Sequence, residues 1–104
     1  MIVFCTVPDE DTAKEIARII VKEGLCACVN QIPKVKSYYL YEDEFCEENE
    51  LLLLIKTASS HFQALENRLK ELHPYDVPEI IATPISEASV EYRDWMLKSL
   101  SIDV

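Results

Sequence analysis

Two short segments, Ile2–Val7 and Leu51–Ile55, are apolar at both parities apart from Thr6. A strand with one wet face alternates polar and apolar side chains, so these two belong in the middle of a sheet that is covered on both sides. The chain is 104 residues long, which suits one domain over 1–104 and leaves little material for a second covering layer. The simplest cover for the second face is another copy of the same chain, so a homo-oligomer is expected.

The composition narrows the partners. With 10 basic and 19 acidic residues the formal charge is −9, which sets most of the surface against phosphate backbones and anionic lipid. Neither nucleic acid nor a membrane is expected as a partner. The apolar runs, Leu51 to Ile55 among them, are at most five residues, far short of the roughly 20 a bilayer span needs, and no export signal is visible at the start. The four cysteines, at 5, 26, 28 and 46, are therefore read as reduced thiols in the cytoplasm.

Along the chain, Ile2 to Val7 reads as a buried strand closed by Pro8-Asp9. A helix follows from about Glu10 to Glu23, with acidic residues at its start, an apolar stripe through Ala13, Ile16, Ala17, Ile20 and Val21, and Gly24 as its C-terminal cap. Cys26 to Tyr41 reads as a long strand bent near Ile32 to Lys34 by Pro33. A turn at Glu42 to Glu44 joins it to a strand over Phe45 to Thr57, as an antiparallel hairpin.

Ser60 and Gln63 have the spacing of a capping box for a second helix, whose face carries Phe62, Leu65, Leu69 and Leu72 and which His73-Pro74 ends. Ile80 to Ile85 reads as a fourth strand and Ser86 to Leu100 as a third helix, with Tyr92, Trp95, Met96 and Ser99 along one side. The order predicts an α+β, ferredoxin-like split βαβ fold: a four-stranded antiparallel sheet with helices on one face, plus a C-terminal helix.

Several residues invite a chemical reading. Cys26 and Cys28 would share one face of a strand, a soft-metal pattern that lacks a second pair at finger spacing, and small core residues are the simpler account. His73 to Glu79 gathers an imidazole, a phenol and two carboxylates between two prolines. That is either a rigid site or a loop in which His73 caps the preceding helix. His61 stands outside any cluster and reads as solvated.

Tyr38, Tyr39, Tyr41, Tyr92 and Trp95 read as interface rather than as a stacking platform. The six carboxylates between Glu42 and Glu50 lack the spacing and glycine of a calcium loop, and read as a solvated hairpin end. There is no G-x-S-x-G elbow, and with one glycine in the chain no phosphate-cradling loop. No enzyme is expected.

The segments FCTVPDEDTAKEIA, GLCACVNQIP, ELLLLIKT, LHPYDVPEII and YRDWM, in this order and spacing, resemble the CutA divalent-cation tolerance family over nearly the whole chain. The resemblance implies a ferredoxin-like subunit in a tight homotrimer, similar in architecture to PII signalling proteins. It also implies binding of copper(II) or another divalent ion through the positions that match Cys5 and His73. Where some relatives have two histidines before Pro-Tyr, this chain has Leu72-His73, and its hairpin turn, Tyr41-Glu42-Asp43-Glu44, replaces W-x-G-x.

Two functional readings follow from the resemblance: a non-catalytic metal-binding homotrimer, or a PII-like small-molecule sensor with an intersubunit cleft near Asn30, Lys56, Tyr75, Glu79 and Trp95. An acylphosphatase-like hydrolase on a similar fold lacks the glycine-rich anion loop it would need.

Overall fold

The computed structural model describes residues 1–102. The last two positions of the expected domain, Asp103 and Val104, lie outside the described residues. Strand β1 (Ile2–Val7) is followed by helix α1 (Glu10–Lys22), strands β2 (Cys28–Tyr41) and β3 (Glu44–Lys56), helix α2 (Phe62–Leu72), strand β4 (Ile81–Thr83) and helix α3 (Val90–Ser99). The sheet order is β2-β3-β1-β4, with every neighbouring pair antiparallel, as the ferredoxin-like pattern predicts.

The registers sort the side chains into two faces. Val3, Cys5 and Val7 sit opposite Ile55, Leu53 and Leu51, and these six form the core with Ala13, Ile16 and Ile20 of α1 and Leu65 and Leu69 of α2. The other face carries Ile2, Phe4 and Thr6 beside Lys56, Leu54 and Leu52. It is apolar in its centre and only partly covered by the rest of the chain.

Local chemistry sets the helix ends. Asp9 caps α1 by accepting from the Thr12 amide at 2.8 Å, a bond that also holds its carboxyl below the usual range. At the other end the Leu25 amide donates to Ile20 and the Gly24 amide to Val21, the paired bonds of a Schellman cap. Gly24 takes the left-handed φ of 73° that this cap requires. Arg68 of α2 forks both oxygens of Glu23 at 3.0 Å, tying the two helices together at their exposed edge.

The capping box expected at Ser60 and Gln63 does not form. Residues Ser59–His61 make a single 3-10 turn before α2, Ser60 turns its hydroxyl to His61 Nδ1 at 3.0 Å, and Gln63 instead bonds Glu66 and Asn67. His61 is not merely solvated either. Its Nε2 lies 3.2 Å from the Leu100 carbonyl and ties the start of α2 to the end of α3. Strand β2 begins at Cys28, not Cys26, because the Ala27 amide bonds Lys56 and the Leu25 carbonyl accepts from Thr57, which holds 25–27 as a bend. Cys26 falls in the core at 2% exposure, so the two thiols do not share one strand face.

The expected bend in β2 is a bulge between Ile32 and Val35, with Lys34 at φ 60°. Beyond it β2 and β3 run on as a two-stranded arm, which stretches the molecule to 48 Å. Strand β4 and helix α3 are both shorter than expected. Pro84 has no amide to extend the β4 ladder, and Ser89 caps α3 by accepting from Tyr92 at 3.2 Å.

The arm closes in a two-residue turn, Glu42-Asp43, with both residues at positive φ, 51° and 66°. Such a turn suits glycine, and each acidic side chain there is strained. Asp43→Gly is expected to stabilise the protein by about 1 kcal/mol, read as a higher guanidinium midpoint at fixed protein concentration.

Candidate functional site

Strand β4 pairs with β1 only from Ile2 to Phe4, so the last residues of β1 have no neighbour on that side. A buried strand carbonyl left there must find another donor. The loop after α2 supplies it: His73, 7% exposed, places Nε2 at 2.8 Å from the Thr6 carbonyl. Its Nδ1 accepts from the Tyr75 amide at 3.2 Å. Since a carbonyl only accepts and an amide only donates, the ring is neutral with its proton on Nε2, an assignment that follows from the bonding network.

His73 therefore docks the loop on β1. It does not cap α2 with its side chain; its backbone amide does so by donating to Leu69. Pro74 after it keeps the chain out of the helical region, and His73 itself is extended at φ −79° and ψ 137°.

Tyr75 packs its ring 4.7 Å from that of His73 and donates its hydroxyl to Glu50 Oε2 at 2.8 Å. Glu50 is only 6% exposed, and it has no cationic partner among the described residues. Burial, then the bond to Glu50, pushes the Tyr75 phenol far above its usual range. Tyr39 moves in the same direction through desolvation, with Cys46, Glu48 and Glu50 adding to it.

Sequence reasoning missed Glu50 by grouping it with the solvated acidic hairpin end. The usable signal was its position next to the Leu51–Ile55 run, where the strand passes from solvent into the core.

Cys5 faces the core, fully buried, with its sulfur 3.8 Å from the Thr6 carbonyl. Burial first, then the charges of Glu79 and Glu50, push its thiol up to about 12. Cys5 and His73 thus both reach the Thr6 carbonyl. Of the other candidates, Tyr75 and Glu79 belong to this end of the sheet.

Asn30, Lys56 and Trp95 lie at the opposite end. Asn30 sits opposite Leu54, Lys56 places Nζ 5.5 Å from the centre of the Tyr92 ring, and Tyr92 packs 5.5 Å from Trp95. The single chain therefore splits the five candidate cleft residues into two groups. Among the described residues no three His, Cys, Asp or Glu side chains converge as a ligand set, and no helix is long and apolar enough to cross a membrane.

A family model described as "CutA1 divalent ion tolerance protein" matches residues 1–99. The chain is 50% identical over 95 residues to the divalent-cation tolerance protein CutA of Thermus thermophilus, covering 91% of this chain and 92% of that one. A solved Thermus thermophilus divalent cation tolerance protein superposes with a TM-score of 0.89 at 49% identity, over 91% of this chain and 92% of the other. The structure described as the periplasmic divalent cation tolerance protein CutA of Archaeoglobus fulgidus gives a TM-score of 0.92 at 30% identity, over 95% and 96%.

Two outcomes are expected from the site's chemistry. Tyr75→Phe leaves the buried Glu50 carboxylate without its hydrogen bond, and should lower unfolding free energy by about 1–3 kcal/mol at neutral pH in a denaturant titration. The second is alkaline. Cys5 and Cys26 both rise from 9.0 to about 12 in the folded chain, chiefly by burial. A raised pKa gives stability that is complete below the unfolded value and lost as pH climbs, so unfolding free energy should fall between about pH 9 and 12. Cys26→Ala should flatten that slope in denaturant titrations run across this range.

Proposed function

The chain belongs to the CutA1 divalent ion tolerance family, and from that premise we propose that it serves in divalent-cation tolerance as a cytoplasmic homotrimer that catalyses no reaction. Copper(II), or another divalent ion, is in this reading a reversible ligand of Cys5 and His73 rather than a resident cofactor. The observation that carries it is that the Cys5 sulfur and the His73 ring both reach the Thr6 carbonyl, where the charges acting on the thiol, Glu79 and Glu50, are negative. Thiol and imidazole are soft to borderline donors that suit copper over magnesium or calcium.

As they stand the two donors do not fit a resident metal. The thiol is held protonated, and both imidazole nitrogens are already hydrogen-bonded. An ion must compete with a proton on Cys5 and with the Thr6 carbonyl for His73, which favours weak, exchangeable binding. Leu72 packs against the core and offers no donor.

The second reading, a PII-like small-molecule sensor, draws on the half-buried Lys56 beside exposed Tyr92 and Trp95. It requires neighbouring copies to bring that cluster to Tyr75 and Glu79.

Calorimetric titration with copper(II) tests the first reading. Affinity should rise with pH, roughly tenfold per unit for the one thiol proton displaced. Cys5→Ser and His73→Ala should each weaken binding, and Leu72→His should tighten it. Equal affinity in the wild type and both knock-out variants would place copper elsewhere. Light scattering at micromolar protein should give three times 12.0 kDa, and a stable monomer would overturn the assembly.

A further inference from the structure

Extending the register to the whole sheet, the face turned away from α1 and α2 carries Ile2, Phe4 and Thr6 of β1, Cys28, Asn30, Ile32, Val35, Ser37 and Tyr39 of β2, and Cys46, Glu48, Glu50, Leu52, Leu54 and Lys56 of β3. Ile81 and Thr83 of β4 complete it. Charge on this face is strongly ordered. Lys56 is its one cation among the described residues and lies at one end, Glu50 and Glu48 lie toward the other, and apolar Leu52 and Leu54 separate them.

Neither end is neutralised among the described residues. Glu50 is nearly buried, its single hydrogen bond among the described residues comes from a neutral phenol, and its Oε1 is not sealed off from outside. A carboxylate so placed is costly without a counter-charge. Among the described residues Lys56 meets an aromatic ring and no carboxylate. Six residues of strand separate the two, about 20 Å, so they cannot pair within one chain.

Resting on the homotrimer reading, we infer that Glu50 takes its counter-charge from Lys56 of the partner subunit. In a closed ring each copy gives one end of its open face and receives the other, so every Glu50 is matched once. The apolar stretch between the charges buries against the next copy, and the two charges set its direction and register.

Zero-length carbodiimide coupling tests the contact directly, because it joins an amine to a carboxylate only where they touch. A mixture of isotope-labelled and unlabelled wild-type protein should yield a Lys56–Glu50 amide carrying both labels. A double-mutant cycle reads its strength. Glu50→Gln keeps the bond from Tyr75 but strands Lys56 of the partner subunit, and Lys56→Met does the reverse. Each single change should raise the protein concentration at half-dissociation by about thirtyfold or more, and the double variant should recover most of it. A monomeric wild type overturns the assembly and the pair together. A trimer with no Lys56–Glu50 amide, or with purely additive effects, overturns the pair alone.

Discussion

The carbonyl of Thr6 is a small debt left by a short strand, and much of the site follows from how it is met. Because β4 stops opposite Phe4, the end of β1 lacks a ladder partner on that side. His73 satisfies the carbonyl with Nε2 and accepts the Tyr75 amide with Nδ1, so one ring fixes both the strand end and the first residues of the loop. Tyr75 is thereby aimed at Glu50, and the chain of bonds runs from β1 through the loop to β3. Cys5 sits one residue away, in the dry side of the same strand, and inherits the negative neighbourhood.

That architecture explains why the site is closed rather than waiting for a ligand. A histidine that completes a strand is a structural residue first, and a thiol in the core prefers its proton. Both are nevertheless groups with metal affinity once released. The position before His73 sharpens the contrast, since Leu72 is used here to pack against the core.

Most of the fold was legible because it rests on patterns that local sequence carries. The two-parity apolar runs marked the central strands, the Asp9 and Gly24 ends marked α1, and Pro33 marked the bulge. What failed were features decided by distant contacts. The box at Ser60 and Gln63 lost to a 3-10 turn in which His61 reaches across to Leu100. Cys26 was drawn out of the strand by bonds from Ala27 and Thr57 to partners at the far end of the chain segment. Glu50 looked like its acidic neighbours, yet it lies where the ribbon enters the body of the molecule, and only the Tyr75 loop, 25 residues away, shows that it is covered. Cys5 and His73 were selected by family likeness, and no spacing in the sequence would have joined positions on β1 and beyond α2.

The proposed homotrimer asks a strongly acidic chain to favour its own copies. A formal charge of −9 makes identical molecules repel at long range, so association needs a contact that is short-ranged and directional. An apolar sheet face provides attraction but little orientation, because Leu and Phe side chains tolerate several registers. The exposed aromatic arm, with Tyr38 stacked on Phe45 at 6.3 Å, adds area with the same indifference. Orientation must come from the few polar groups on that face. Of these, a lone lysine and a nearly buried glutamate at opposite ends discriminate best, since any register that leaves the glutamate unmatched retains the cost of a desolvated charge.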